Sequence, residues 1–279
     1  MGAAIATRLA SLGHEMMVWN RSADKARALG LPVAQTPQAL ASAAEVIITI
    51  LTDASAVASV YSQMLAADVA GKLFIEMSTV RPETQRKLAE RVRKAGAALV
   101  ECPVGGTVGP AKEGKLFGFV GGDAADVARA RPILEQLCRR IEHVGPVGAG
   151  ASMKLAINLP LLVYWQALGE ALALCKPLGL DPQRLMDIFA DTSGGPNVLK
   201  VRGPAIAQAL AGKEPSGTAF DVDSVRKDLR TMIEEARDLG GGLPVAERAL
   251  QCYDEAAREG LGAKDQALLP ANWLKRFGL

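Results

Sequence analysis

The chain has 279 residues, of which 49% are hydrophobic, and its 32 basic and 30 acidic side chains give a net charge of +2 at pH 7. This length and apolar content are sufficient for two domains with ordinary buried cores. The charges are spread along the sequence, which predicts neither a basic surface for nucleic acid nor an acidic tail. Small-molecule chemistry is therefore the expected class of function.

The cysteines and the beginning of the chain indicate the cellular setting. Widely spaced cysteines without a Cys-x-x-Cys pair, together with only two histidines, predict no structural metal. No cationic segment followed by an apolar run opens the chain, so no secretory signal is predicted. The longest apolar stretch, Leu155–Trp165, is shorter than the roughly 20 residues that span a bilayer. We expect a cytoplasmic protein in a reducing setting, without membrane or nucleic-acid partners.

The first half of the chain alternates short apolar runs with segments of helical periodicity. The predicted strands are Met16–Trp19, Val46–Leu51, Leu73–Glu76, Ala98–Glu101, Phe117–Val120 and Ile141–Val144. Intervening helices are predicted at Ala3–Leu12, Pro82–Ala95 and Asp123–Leu137. This alternation predicts an α/β fold with a doubly wound, mostly parallel sheet covered by helices on both faces.

From about Val147 the pattern becomes almost entirely helical. A long apolar segment extends to about Lys176, and further helices are predicted at Pro182–Phe189, Ser224–Leu239 and Pro244–Glu259. The stretch Gly145–Gly150, rich in Gly and Pro, separates the two patterns. We therefore predict an α/β domain over residues 1–146 and an all-α domain over residues 147–279.

The beginning of the chain matches the second half of a dinucleotide-binding motif. Gly2 lies where the third glycine of G-x-G-x-x-G would open a helix whose N-terminus receives the pyrophosphate. The predicted strand Met16–Trp19 ends at Asn20, Arg21 and Ser22, where NAD enzymes usually carry an acidic residue. A guanidinium beside a hydroxyl suits the 2′-phosphate of NADP, with NAD as the second possibility. An exposed arginine in a turn is the alternative interpretation.

The strand and the two glycines that would precede Gly2 in this motif are not in the sequence. That strand lies at the centre of a doubly wound sheet, and each buried backbone group without a partner costs about 1–3 kcal/mol. The stability of a whole domain is only roughly 5–15 kcal/mol. We therefore expect the natural reading frame to extend upstream, or the chain to have been shortened.

Three further motifs place polar residues next to apolar segments. They are Glu76–Pro82, Glu101–Thr107 with Ala111 and Gly114, and Gly148–Lys154 with Asn158. Lys154 and Asn158 are four residues apart and share one face of an otherwise apolar helix. An unpartnered buried ammonium would have its pKa lowered from about 10.4 toward neutrality, as proton exchange with a hydroxyl requires. A lysine that reaches from the helix start to water is the alternative.

In this order and spacing, the motifs resemble the β-hydroxyacid dehydrogenase family, which includes 3-hydroxyisobutyrate dehydrogenases and glyoxylate/succinic semialdehyde reductases. The resemblance extends from Met1 to the C-terminus. It implies a Rossmann-type dinucleotide-binding domain, an all-α C-terminal domain, and a homodimer or homotetramer. It also implies NADP(H)-dependent oxidation of a small 3-hydroxy acid, or reduction of the matching aldehyde acid.

The resemblance implies a role for each matching residue, with Lys154 as the catalytic acid/base. The implied substrate residues, which would bind a small carboxylate, are Ser78, Thr79, Gly105, Gly106, Thr107 and Asn158. The implied cofactor residues are Gly2, Asn20, Arg21, Ser22, Leu51, Thr52, Thr79 and Lys227, the last beside Asp228.

The loop at Val104–Thr107 departs from the commonest family pattern, Val-Ser-Gly-Gly. The sequence Val-Gly-Gly-Thr lacks the serine hydroxyl and gains a threonine, so 3-hydroxyisobutyrate itself is not assigned as the substrate. Ser78, Thr79 and the loop glycines would also suit ordinary turns. The alternative functions are an imine reductase, which generally lacks the lysine, and a catalytically silent binding protein of the same fold.

Overall fold

The computed structural model describes residues 1–215 and 217–276. The chain divides into two compact units, Met1–Ala156 (the first unit) and the residues from Ile157 onwards (the second unit). The first unit combines a sheet with helices, and the second is helical in its described part, as the sequence predicts. The division lies inside the long helix that follows the sheet. The predicted domain limits of 1–146 and 147–279 stay a prediction.

Apart from Met16–Trp19, the predicted strands and helices occur in the predicted order, with further elements between them. The strands are β1 (Val46–Thr49), β2 (Leu73–Glu76), β3 (Ala98–Glu101), β4 (Val104–Gly105), β5 (Leu116–Gly121) and β6 (Cys138–Gly145). The helices up to the unit boundary are α1 (Gly2–Ser11), α2 (Ala23–Arg27), α3 (Pro37–Ala43), α4 (Ala54–Met64), α5 (Pro82–Lys94), α6 (Val108–Glu113), α7 (Ala124–Leu137) and α8 (Ala149–Cys175). The later ones are α9 (Pro182–Ala190), α10 (Asn197–Leu210), α11 (Val222–Asp238), α12 (Pro244–Ala256) and α13 (Leu269–Arg276).

The sheet is parallel on one side and mixed on the other. β1, β2 and β3 are parallel neighbours in this order, and β6 is parallel to β5. β5 runs antiparallel to both β3 and β4. A parallel return after β3 would need a crossover of a dozen or more residues, usually a helix, whereas much of the connection here is taken up by β4 and the short α6. The sheet is therefore mostly parallel, as the sequence predicts, with a short antiparallel part at this junction.

The predicted strand Met16–Trp19 is wrong. In the described residues this segment makes a single bridge, Val18 opposite Val33. Its backbone bonds there, Val18 N to Pro32 O and Ala34 N to Val18 O, are both 2.9 Å long. An apolar run forms a ladder only where another extended segment lies beside it for several residues, and the segment around Val33 provides one such position.

Helices cover both faces of the sheet, and alternate strand residues pack against opposite layers. Phe74 and Leu99 contribute to an apolar cluster with α4 and α5. Ile75 and Val100, their neighbours in sequence, contribute to a second cluster with α1 and α7. The central strands β2 and β3 are therefore buried on both faces, and their polar residues, Glu76 and Glu101, lie at the carboxyl ends of the strands.

Helix α8 provides the apolar centre of the second unit. Trp165, Leu168 and Leu172 are buried and pack in one cluster with Met186 of α9 and with α10. By length and composition, the segment Ala149–Leu178 could also cross a membrane, although 39% of its most apolar window is already buried in the described structure. The core helix of a globular protein meets the same criterion, so this is weak evidence for a membrane.

Candidate active site

The predicted site residues of the first unit lie at the carboxyl ends of the parallel strands. Leu51 and Thr52 follow β1, Ser78 and Thr79 follow β2, and the loop 105–107 comes shortly after β3. Parallel neighbours end at the same edge of a sheet, which is where open α/β folds bind their ligands. The sheet therefore brings together residues that are far apart in sequence.

Ser78 joins the loops after β1 and β2. Its hydroxyl accepts a hydrogen bond from the Leu51 N–H at 2.7 Å and donates one to the Glu76 carboxylate. Glu76 Oε1 also accepts from the Ser78 N–H at 3.1 Å, and Oε2 accepts from the side-chain amide of Gln85. Ser78 is only 1% exposed. In this structure the hydroxyl is committed to holding the two loops together.

Glu101 connects the end of β3 to the beginning of α8. Its Oε1 accepts hydrogen bonds from the N–H groups of Gly148 and Gly150 at 2.5 and 2.9 Å, and its Oε2 accepts from Ala151 N–H at 3.3 Å. Glu101 is fully buried. Burial raises its pKa from 4.5 to about 7, although the N–H groups act in the opposite direction and the nearby Glu76 adds to the rise.

Two glycines leave room for this carboxylate. A Cβ added at Gly121 would lie 2.2 Å from Glu101 Oε1. A Cβ added at Gly150 would lie 2.4 Å from the carbonyl oxygen of Phe119 and 3.3 Å from the Glu101 carboxyl carbon. At least one glycine of the Gly148-Ala-Gly150 motif is thus explained by close approach of helix, strand and carboxylate.

Lys154 and Asn158 lie one turn apart on α8. Lys154 is 9% exposed and Asn158 is half-buried. Lys154 belongs to the first unit, with the sheet edge, whereas Asn158 lies just beyond the division into units. Lys154 is thus buried one turn after a helix start that Glu101 holds in place. This differs from the alternative interpretation, in which the lysine side chain reaches from the helix start to water.

The Lys227-Asp228 pair lies in α11 of the second unit. The ammonium of Lys227 and the carboxylate of Asp228 form an ion pair at 2.5 Å. The Asp228 side chain is 4% exposed and that of Lys227 is 32% exposed. Asp228 therefore anchors a lysine that stays accessible from solvent.

The predicted adenosine end is exposed. Asn20, Arg21 and Ser22 are all solvent-accessible, and Asn20 Oδ1 accepts a hydrogen bond from the Ser22 N–H at 2.9 Å. Ser22 precedes α2, but its side chain makes no capping hydrogen bond to that helix. Gly2 begins α1, and a Cβ there would lie 3.1 Å from Ile50, next to the end of β1. The start of α1 therefore lies at the same sheet edge.

The loop after β4 combines an unusual backbone with an exposed hydroxyl. Gly106 has a φ of 122°, and a Cβ there would lie 2.8 Å from the Leu116 side chain. Thr107 is exposed and precedes α6 without a capping hydrogen bond from its side chain. Gly114 ends α6 with a φ of 70°. Gly106 and Gly114 are thus required by the loop geometry itself.

The structure brings two cysteines together that the sequence spacing separates. The thiols of Cys102 and Cys138 are hydrogen-bonded, which lowers the pKa of Cys138, and a Cβ added at Gly118 would lie 2.9 and 3.3 Å from the two sulfur atoms. The described cysteines are free thiols. Within residues 1–215 and 217–276, no group of three or more His, Cys, Asp or Glu side chains is placed to hold a metal ion.

Sequence reasoning did not assign roles to Glu76 and Glu101. A usable signal was present, because each is an acidic residue that ends an otherwise apolar strand. Carboxyl groups at register-paired positions of neighbouring buried strands require hydrogen-bond partners. What the sequence lacked was the identity of those partners, which come from elsewhere in the chain.

Comparison with known families defines the class of protein. The profile of the NAD binding domain of 6-phosphogluconate dehydrogenase matches residues 1–145. A profile described as NAD-binding of NADP-dependent 3-hydroxyisobutyrate dehydrogenase matches residues 148–271. Together with the sheet and its polar edge, these matches define an NAD(P)-dependent oxidoreductase.

Individual relatives define the family. A 3-hydroxyisobutyrate dehydrogenase of Pseudomonas aeruginosa is 36% identical over 94% of this chain and 92% of its own length. Glyoxylate/succinic semialdehyde reductase 1 of Arabidopsis thaliana is 31% identical over 95% of this chain and 92% of its own. The Mycobacterium tuberculosis 3-hydroxyisobutyrate dehydrogenase structure with L-serine has a TM-score of 0.83 at 28% identity, covering 98% and 95% of the two chains. The chain belongs to the β-hydroxyacid dehydrogenase family, which confirms the predicted family and fold class.

Proposed function

We propose that this protein is an NADP(H)-dependent oxidoreductase that oxidises a small 3-hydroxy acid or reduces the corresponding aldehyde acid, with Lys154 as acid/base. The observation that carries the proposal is the buried Lys154, one turn after a helix start that Glu101 holds at the carboxyl edge of the sheet. The relatives support the substrate class. The named compounds L-serine, 3-hydroxyisobutyrate, glyoxylate and succinic semialdehyde each carry both a carboxylate and a hydroxyl or aldehyde group.

The residues at the sheet edge fit a dinucleotide. Gly2 allows the start of α1 to approach Ile50, and the N-terminal N–H groups of this ten-residue helix would receive the pyrophosphate. Arg21 would pair with the 2′-phosphate, with Asn20 and Ser22 as neighbouring polar groups. Leu51, Thr52 and Lys227 are the further proposed cofactor contacts. One relative is named as NAD-dependent, and a related structure contains NADP+, so the preference for NADP rests here on Arg21.

Each proposed chemical role belongs to a stated atom. When bound, the nicotinamide ring accepts or supplies the hydride. Lys154 Nζ removes the hydroxyl proton during oxidation and returns it during reduction. Asn158 holds the substrate, and Thr79 with the loop Gly105, Gly106 and Thr107 surrounds the carboxylate. Ser78 contributes to this group by holding the loop after β2 in place.

The test is the Lys154→Met variant, which keeps most of the side-chain length but cannot exchange a proton. We expect its kcat to fall by about 10²- to 10⁴-fold, the usual contribution of a general acid/base. The Kd for NADPH should stay within about two-fold, since Lys154 is not a proposed cofactor contact. Oxidation of L-serine and 3-hydroxyisobutyrate, and reduction of glyoxylate and succinic semialdehyde, are measured by absorbance at the nicotinamide band.

Lys87→Met is the matched control. Lys87 is exposed on α5, pairs with Glu83 at 2.7 Å, and is not one of the proposed site residues. Its kcat should equal that of the unmodified chain. Full turnover by Lys154→Met would refute the proposed mechanism, and binding of NADPH without turnover of any of the four compounds would contradict the proposed substrate class.

A further inference from the structure

Glu101 is a buried carboxyl to which neither substrate nor cofactor contact is assigned. In the described structure it accepts hydrogen bonds from the N–H groups of Gly148, Gly150 and Ala151. These bonds connect residues 47 to 50 positions apart, so they are tertiary contacts between β3 and the start of α8. Glu101 therefore holds an element that carries a proposed catalytic group.

The physical reason for this arrangement is the charge at a helix start. The first N–H groups of an α-helix have no partner within the helix, and together they form the positive end of its dipole. Most helices satisfy them with a residue that immediately precedes the helix, as Asp181 does for α9 through the Arg184 N–H at 3.0 Å. Helix α8 instead receives a carboxylate from the neighbouring sheet, in a space that Gly121 and Gly150 leave open.

The bonded N–H groups lie close to Lys154 along the helix. Ala151 and Gly150 are three and four residues before Lys154, which places them on the same face, one turn away. A helix is stiff over one turn, so a shift of its first turn against the sheet shifts the lysine with it. The contact with Glu101 therefore sets the position, relative to the sheet, of both the first turn of α8 and the Lys154 ammonium.

We propose that Glu101 is a positioning residue, which holds the first turn of α8 at the carboxyl edge of the sheet and thereby fixes the place of Lys154. This inference rests on the proposed function, in which Lys154 exchanges a proton with the substrate. The proposed function assigns Glu101 no contact with substrate or cofactor, so we expect its effect on kcat. A displacement of about 1 Å at a reacting group can cost about a hundredfold in rate.

The first experiment measures the contact without using activity. Amide hydrogen exchange is followed in the full-length Glu101→Gln variant, which keeps the side-chain volume but replaces an acceptor oxygen with an NH₂ donor. We expect faster exchange at residues 148–151, with the exchange of the β2 and β3 amides unchanged. Unaltered exchange at residues 148–151 would overturn the contact on which the inference depends.

The second experiment measures kcat, KM and the Kd for NADPH in the same variant. We expect kcat to fall by about 10- to 100-fold, while KM and the Kd stay within about two-fold. Glu101→Asp retains both acceptor oxygens on a shorter side chain. Its kcat should lie between that of the unmodified chain and that of Glu101→Gln. If Glu101→Gln does not fold, Glu101→Asp with the same split between kcat and KM decides the question.

Asp181→Asn is the matched control, because it weakens another carboxylate at a helix start. It should accelerate exchange at the beginning of α9 and leave kcat unchanged. Faster exchange at residues 148–151 with unaltered kcat in Glu101→Gln would overturn the positioning role while leaving the proposed function intact. If the unmodified enzyme turns over none of the proposed acids, the proposed function fails and the positioning role fails with it, whereas the exchange data still report on the contact.

Discussion

At the scale of single residues, the structure separates two glutamates that the sequence makes equivalent. Glu76 and Glu101 each end an apolar strand and are paired in register. Glu76 is satisfied by Ser78 and Gln85, its neighbours in sequence, and by the Thr49 hydroxyl of β1 at 3.4 Å, whereas Glu101 is satisfied by the start of α8. Glu76 therefore acts around the ends of β1 and β2, and Glu101 connects the sheet to a helix.

The cofactor preference can be tested at Arg21. In Arg21→Glu, a carboxylate would repel the 2′-phosphate and accept a hydrogen bond from a 2′-hydroxyl. We expect the Kd for NADPH to rise by about 10- to 100-fold, since hydrogen bonds to charged groups contribute about 1.5–3 kcal/mol. NADH binding should stay the same or improve. Fluorescence titration measures both, with Arg27→Glu on the exposed face of α2 as the control. An unchanged ratio of the two Kd values would assign no role to Arg21.

The raised pKa of Glu101 predicts how stability depends on pH. Its pKa rises from 4.5 to about 7 in the folded chain, mainly through burial. The protonated form is therefore favoured on folding, and this contribution is complete below pH 4.5 and lost as pH rises through about 7. The free energy of unfolding of the unmodified chain, relative to Glu101→Gln, should fall from pH 5 to 7 and then level off.

Urea unfolding at pH 5, 6, 7 and 8 measures this difference. Asp53 is the control, because hydrogen bonding from Ala56 lowers its pKa, so it stays ionised throughout that range. The stability difference between the unmodified chain and Asp53→Asn should therefore be flat with pH. A flat difference for Glu101→Gln as well would mean that Glu101 does not titrate in this range.

At the scale of elements, the sequence predicted those strands best that are buried on both faces. Leu73–Glu76 and Ala98–Glu101 were predicted with the observed limits, because continuous apolar runs bounded by polar residues are typical of such strands. Met16–Trp19 is also an apolar run but forms only a bridge to Val33. Helices α2, α3, α4, α6, α10 and α13 were not predicted. Strand formation depends on a partner segment, which no local pattern specifies.

The beginning of α8 offers a test at this scale. In Gly150→Ala, the new Cβ would lie 2.4 Å from the Phe119 carbonyl oxygen, so helix or strand must move. Such overpacking typically costs about 1–3 kcal/mol. Gly109→Ala in α6 is the control, since a Cβ there would meet nothing within 4 Å. We expect the control to be neutral or to stabilise by about 0.5–1 kcal/mol. Equal melting temperatures of the two variants would contradict the observed close approach.

At the scale of the whole molecule, the two edges of the sheet differ in character. The carboxyl edge holds the proposed site residues and Glu101. The region where β3 begins has instead a cavity of about 220 Å³ lined by residues that include Gly71, Arg93 and Arg129. Its arginines are occupied, Arg93 with Asp123 and Arg129 with the Gly71 carbonyl. Because Arg93 and Arg129 already have these partners, we expect the cofactor to bind at the carboxyl edge instead.

Hydrogen exchange with and without NADPH distinguishes the two edges. We expect slower exchange at residues 51–53, 78–80 and 104–108 when NADPH is added, because these loops follow the carboxyl ends of the strands. Residues 69–72 and 96–98, where β2 and β3 begin, should exchange at the same rate. Protection confined to the second group would place the cofactor at the opposite edge.

The sequence by itself determined the α/β class, the limits of the central strands, the family and the candidate residues, because periodicity and short motifs are local properties. Tertiary structure decided which of these residues meet. It committed the Ser78 hydroxyl to Leu51 and Glu76, brought Cys102 next to Cys138, and placed Glu101 against the start of α8. The physical reason is that a buried polar group must find its partner in space, and the partner's position in sequence is set by how the whole chain folds.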